Sequence, residues 1–134
     1  MPTIFSKIIA GQIPCYKVSE NANCFAFLDI NPLMEGHTLV VPKKEVDELF
    51  ELNDETYQQL MQFAKQVAKA IKQAIPCKRV TSLVLGFEVP HAHVHLIPAH
   101  HERQINFANP KVKFSKEEFE ATAKKIAQAF SEKA

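Results

Sequence analysis

The chain is poor in cysteine and has no close cysteine pair. Its three cysteines, Cys15, Cys24 and Cys77, are odd in number, widely spaced and without a Cys-x-x-Cys. That pattern argues against a disulfide framework and for free thiols in a reducing compartment. An excess of one charge is also lacking, with 16 basic residues against 15 acidic and a formal net charge of +1. Bulk attraction to nucleic acid is therefore not expected to organise its function. No apolar run approaches the roughly 20 residues that a membrane helix requires. The opening MPTIFSKIIAGQIP carries no basic leader ahead of a small-residue cleavage site. Internal repeats, low-complexity tracts and linkers are likewise missing. The expectation is one cytoplasmic domain over residues 1–134, large enough to form a core without disulfides or metal.

The pattern along the chain predicts helices and strands in alternation. Residues 3–9 suit a short helix capped by Thr3 and ended at Gly11. Residues 15–19 and 23–29 read as an antiparallel hairpin, the second strand nearly continuous in apolar residues, and 37–41 as a third strand stopped by Pro42. The clearest helix covers 53–75. Asn53 caps it, Asp54 and Glu55 suit the positive end of its dipole, and Leu60, Ala64, Val67 and Ile71 lie on one stripe. Strands are expected at 79–86 and 91–98. A C-terminal helix over about 115–131 should start with a capping box, Ser115 with Glu118, and a staple, Phe114 with Phe119. The predicted class is α+β, a five-stranded antiparallel sheet with one long helix and a C-terminal helix. The loop 99–113 is polar and rich in His, Arg, Asn and Lys. It suits a substrate loop, a dimer contact or a surface excursion.

Five of the six histidines lie between residues 91 and 101, and three alternate at His91, His93 and His95. Alternate residues of a strand share a face, at a spacing of about 6.6 Å, so the three imidazoles would line one surface opposite Ala92, Val94 and Leu96. Three explanations compete: polar residues facing water, a zinc site built on imidazole nitrogens, and nucleophilic catalysis by histidine. Spacing alone does not choose among them.

The spacing His91-x-His93-x-His95, followed by Leu96 and Ile97, resembles the signature of the histidine triad (HIT) family, in particular its Hint-like nucleotidyl hydrolases. Three further segments resemble that family in the same order: Ile4–Ile9 with Ile13-Pro14, Phe27–Pro32, and Gly36–Lys43. The resemblance implies that His93 is a nucleophile toward the α-phosphorus of a nucleotide, forming a covalent nucleotidyl-histidine that water resolves; the leaving group would be an amine or a phosphate, as in a phosphoramidase or a dinucleoside polyphosphate hydrolase. It implies that His95 donates to the phosphate oxygens, and that His91 and His37 orient and polarise His93. Asp29 would hold the ribose hydroxyls, and Phe5, Ile8, Phe27 and Ile30 would wall the base pocket. Gly86, Glu88 and Val89 would cradle phosphate through main-chain amides. The implied partners are a purine nucleotide substrate and a second copy of the chain in a homodimer, with no cofactor, nucleic acid or membrane.

The chain departs from the family pattern at two places. Before the triad the family reads Gly-Gln-Ser/Glu-Val-aromatic with an asparagine upstream. Here the segment is Gly86-Phe87-Glu88-Val89-Pro90, and Val80 or Thr81 stands near the asparagine position. A nucleotide-binding scaffold with weak or no catalysis is therefore the alternative. Some relatives also carry zinc on cysteines near the opening segment, where Thr3 and Ser6 stand here. The resemblance accordingly predicts no metal, against the remaining alternative of a metal-dependent hydrolase that uses the three histidines as ligands.

Overall fold

A computed structural model describes residues 2–133. Its elements run α1 (Ile4–Ile9), β1 (Lys17–Glu20), β2 (Cys24–Leu28), β3 (Thr38–Pro42), α2 (Asp54–Ala74), β4 (Arg79–Leu83), β5 (Val94–Ala99) and α3 (Lys116–Lys133). Short 3-10 turns occupy Leu49–Glu51 and Glu102–Gln104. The five strands form one antiparallel sheet in the order β1-β2-β3-β5-β4. The predicted α+β architecture is the one observed.

Why β2 and β3 read as continuous apolar runs is clear from what covers each face. All five residues of each strand are buried, because the sheet is packed on both sides. Ala26, Leu28, Val40, Val94 and Leu96 point toward α2 and α3, joining Leu60, Phe63, Val67, Ile71 and Ile126 in the main core. Phe25, Phe27, Leu39 and Val41 point the other way and meet Phe5 of α1 in a smaller second core, with Ile8 and Val89 at its edge. The triad lies on this second face. His95 pairs directly with Leu39 across the β3–β5 ladder, and cross-strand partners share a face.

The helix ends are set by the expected groups. Thr3 Oγ1 accepts from the Ser6 N–H at 3.1 Å, and Asn53 Oδ1 accepts from the Thr56 N–H at 2.8 Å. Ser115 and Glu118 exchange the two bonds of a capping box, at 2.8 and 3.1 Å. The Phe114 and Phe119 rings meet edge-on at 5.5 Å. Cys15, Cys24 and Cys77 are free thiols, and burial pushes the Cys24 thiol up to about 11.

Of the boundaries that differ from the sequence expectation, three have a local reason. β4 stops at Leu83, three residues short of Gly86, and the chain leaves the sheet as a loop in which Gly86 adopts a φ of 76°. Pro42 does not stop β3 but is its last residue, paired with Cys24. β5 begins at Val94, not His91. The chain before it is diverted, because the Ala92 N–H donates to Val46 O at 2.7 Å and the His91 N–H to Val89 O at 2.8 Å. His91 and His93 are therefore placed by a turn that meets the strand, and only His95 by the strand itself.

Candidate active site

His91 is fully buried, and both of its ring nitrogens are occupied. Pro42 O lies 2.8 Å from Nε2, so Nε2 carries the proton and donates. Thr3 Oγ1 lies 2.9 Å from Nδ1, which accepts from the hydroxyl. Thr3 is held in turn through its N–H to Glu45 Oε1 at 2.8 Å, and that oxygen also accepts from Ser6 Oγ at 2.6 Å. These two bonds hold the Glu45 carboxyl below the usual carboxylate range. Thr3 and Ser6 thus belong to a hydrogen-bonded cluster that ties α1 to the triad.

His93 is oriented by a main-chain group. Its Nδ1 lies 2.7 Å from the carbonyl oxygen of His91, which fixes the proton on Nδ1 and leaves the Nε2 lone pair free. His91 thus orients His93 through its backbone carbonyl, while its ring anchors the turn. Phe5 packs edge-on against the His93 ring at 4.9 Å. Burial pushes the His93 pKa below 6.5, partly opposed by its bond to His91 O.

His37 differs from its expected role. Its Nε2 lies 3.0 Å from Nδ1 of His95, and it makes no bond to His93. The turn Asp29–Gly36 sets the direction of this pair. The Leu33 N–H donates to His37 Nδ1 at 3.1 Å, and a backbone N–H cannot accept. Nδ1 is therefore the acceptor and Nε2 carries the proton. That proton is donated to His95 Nδ1, which leaves His95 with its own proton on Nε2. Gly36 lets the turn close tightly: its φ is 90°, and a Cβ there would meet Ile75 Cγ1 at 3.1 Å.

These ring protons make His93 a free acceptor and His95 a free donor, on rings whose centroids are 5.1 Å apart. Burial, then the neighbouring imidazoles, pushes His37 down to about 3 and His95 down to about 4, so both are neutral at pH 7. Among the described residues no buried side-chain nitrogen or oxygen lacks a partner.

The remaining expected residues divide. Asp29 is near the relay, with Oδ2 3.6 Å from His37 Nε2 and Oδ1 accepting from the Asn31 N–H at 2.8 Å. Its burial raises the carboxyl above its usual range. Phe27 meets Phe5 at 5.5 Å, and Ile8 and Val89 complete that apolar side. Glu88 is exposed, yet its charge acts on both Asp29 and His93. Ile30 is 64% exposed and Gly86 stands in open space, so neither contributes to a closed wall here. Phe87 is 93% exposed and takes no part in the triad.

Asp29, His37 and His95 present possible ligand atoms within 4.8 Å of one another. The proton arrangement opposes a metal there. His37 Nε2 is protonated because Nδ1 already accepts from Leu33, so ligation would require an imidazolate.

Sequence reasoning missed Phe107, whose ring lies 5.0 Å from that of His95 and 6.1 Å from that of His37. It is the only Phe, Tyr or Trp in the polar loop 99–113, and that isolation was the available signal.

A HIT domain model matches residues 10–102. The chain belongs to the HIT family. This HIT chain is 36% identical over 129 residues to the adenosine 5'-monophosphoramidase of Schizosaccharomyces pombe, covering 95% of this chain and 97% of that one. It is 40% identical over 101 residues to the adenosine 5'-monophosphoramidase of Saccharomyces cerevisiae, covering 75% and 64%. Among solved structures, a HIT-like protein of Bartonella henselae superposes with a TM-score of 0.83 at 32% identity, covering 95% of each chain. A histidine triad nucleotide-binding protein of Sulfolobus tokodaii does so at 0.84 and 29%, covering 96% and 91%.

The buried neutral histidines make stability depend on pH. Unfolded, His37 and His95 bind protons near 6.5; folded, they do so only near 3 and 4. Their contribution is present above about pH 6.5 and is lost as the pH falls toward the folded values. Tm should therefore drop steadily between pH 7 and pH 4. A flat Tm over that range would contradict neutral burial.

Proposed function

We propose that this HIT protein is a nucleotidyl hydrolase that releases a purine nucleoside 5'-monophosphate from an amine through a covalent intermediate on His93. The observation that carries the reading is the Nε2 lone pair of His93, freed because Nδ1–H is committed to His91 O at 2.7 Å. The two fungal relatives, both adenosine 5'-monophosphoramidases, support the substrate class.

In the first step the His93 Nε2 lone pair forms a bond to phosphorus, and the phosphorus–nitrogen bond of the substrate breaks. The ring becomes cationic, and its Nδ1–H···O bond to His91 strengthens accordingly. His95 Nε2–H meets the phosphoryl oxygens as their charge grows. The departing nitrogen takes its proton from solvent. Water then attacks phosphorus, releases the nucleotide, returns the bonding pair to Nε2 and gives up a proton.

Asp29 is assigned to the ribose hydroxyls, and Phe5, Ile8, Phe27 and Ile30 to the base. Gly86, Glu88 and Val89 are assigned to the phosphate approach. A homodimer is supported by β4 standing at the end of the sheet, beside exposed Val84, Leu85 and Phe87. An unpaired strand edge with apolar neighbours favours pairing with another strand. A cytoplasmic location is part of the same reading.

On adenosine 5'-phosphoramidate, His93→Ala should lower kcat by about 10⁴-fold or more, while the nucleotide still binds. Quenching the native protein with denaturant at alkaline pH, where a phosphorus–nitrogen bond to imidazole survives, should trap nucleotide on His93. Binding without turnover in the native chain would instead select the scaffold alternative. In sedimentation the native protein should run at twice 15.1 kDa; a monomer at micromolar concentration would rule out the dimer.

A further inference from the structure

Loop 99–113 is tied back across the triad. The Val112 N–H donates to Pro32 O at 2.9 Å, joining the loop to the turn that orients His37. Lys111 Nζ donates to Phe107 O at 2.6 Å and to Asn109 O at 3.2 Å, which closes the loop around Phe107. Asn109 Nδ2 donates to Arg103 O at 2.9 Å and holds the other side. The one Phe of this loop lies edge-on to both members of the His37–His95 pair, at 6.1 and 5.0 Å. Phe107 is half-buried, whereas His95 behind it is only 7% exposed.

We infer that Phe107 is a positioning residue, which shields the His37–His95 pair from water and holds the His95 ring with its Nε2–H toward the phosphate. The role follows from what the pair needs. Its 3.0 Å bond requires an unprotonated Nδ1 on His95, and water at that ring would favour the charged form, in which Nδ1 carries a proton. A charged His95 faces a protonated His37 Nε2, so the two N–H groups would oppose each other and the ring would turn. An apolar edge beside His95 prevents this without competing for either nitrogen.

The other titratable groups around His95 do not substitute for that shield. His93 and His37 are neutral neighbours that disfavour a charge on His95 or gain one at its expense. Lys111 carries a positive charge acting on His37 and Asp29. The two acids, Asp29 and Glu88, act in the opposite sense, and Glu88 acts on His93.

The inference rests on the catalytic reading for its consequence in turnover, but the shielding itself is measurable without substrate. The Cε1–H resonance of His95, identified by its loss in His95→Gln, is followed against pH by NMR. In Phe107→Ala the titration midpoint should rise by about one pH unit. Phe107→Leu, which restores an apolar cover, should return it most of the way. Turnover of adenosine 5'-phosphoramidate should fall about tenfold in kcat in Phe107→Ala, with KM little changed and the acid limb of the profile moved to higher pH. An unchanged midpoint in Phe107→Ala would overturn the inference, as would a rise in kcat on removing the ring, which would make Phe107 a plug. If the native chain lacks turnover but the midpoint still shifts, the catalytic reading fails and the shielding role stands.

Discussion

The site depends on a buried hydrogen bond made by a backbone amide. The Leu33 N–H donates to His37 Nδ1, and because an amide can only donate, it fixes where the protons lie along the relay. From it follow the proton on His37 Nε2, the acceptor role of His95 Nδ1, and the outward donor on His95 Nε2. A second main-chain group, His91 O, performs the same service for His93 with opposite sign, by accepting from Nδ1 and freeing Nε2. Two neighbouring imidazoles of the same chemical kind thereby become one donor and one acceptor. The division is enforced by backbone, which cannot change its protonation state, and it holds across the pH range in which the rings stay neutral.

The fold supplies these two main-chain groups by covering both faces of the sheet. α2 and α3 bury one face and α1 the other, so β2 and β3 are fixed on all sides, and the connection between them, residues 29–37, is braced by its own hydrogen bonds. The same two-sided packing dehydrates the histidines and keeps them neutral. Three loose ends are then stitched to the triad: α1 through Thr3 and His91, the end of β3 through Pro42 O, and the 99–113 loop through Phe107. Each stitch comes from a different part of the sequence. A change in any of them would therefore be felt as a change in proton position more than as a missing contact.

Much of this was legible in the sequence because it rests on local pattern. The helix caps at Thr3, Asn53 and Ser115, the stripe of α2 and the apolar runs of β2 and β3 were all apparent from spacing and residue type. The family resemblance marked His37, Asp29 and the triad together, and the structure does gather them. What could not be read was which histidine serves which. That depends on the Leu33 amide and the carbonyls of His91 and Pro42, which every residue possesses and which leave no mark in a sequence. The alternation at 91, 93 and 95 also implied a single strand, although hydrogen bonds from Ala92 and His91 turn the chain before Val94. Phe107 was hidden for another reason: its contact spans a dozen residues of loop with no periodicity to betray it.

The central claim is that the backbone sets the tautomers, and ring-nitrogen NMR reads tautomers directly. Long-range proton–nitrogen correlation spectra of histidine-labelled protein at neutral pH should show His93 protonated on Nδ1 alone. His37, His91 and His95 should each be protonated on Nε2 alone. Finding the His93 proton on Nε2, or His37 protonated on both nitrogens, would contradict the account.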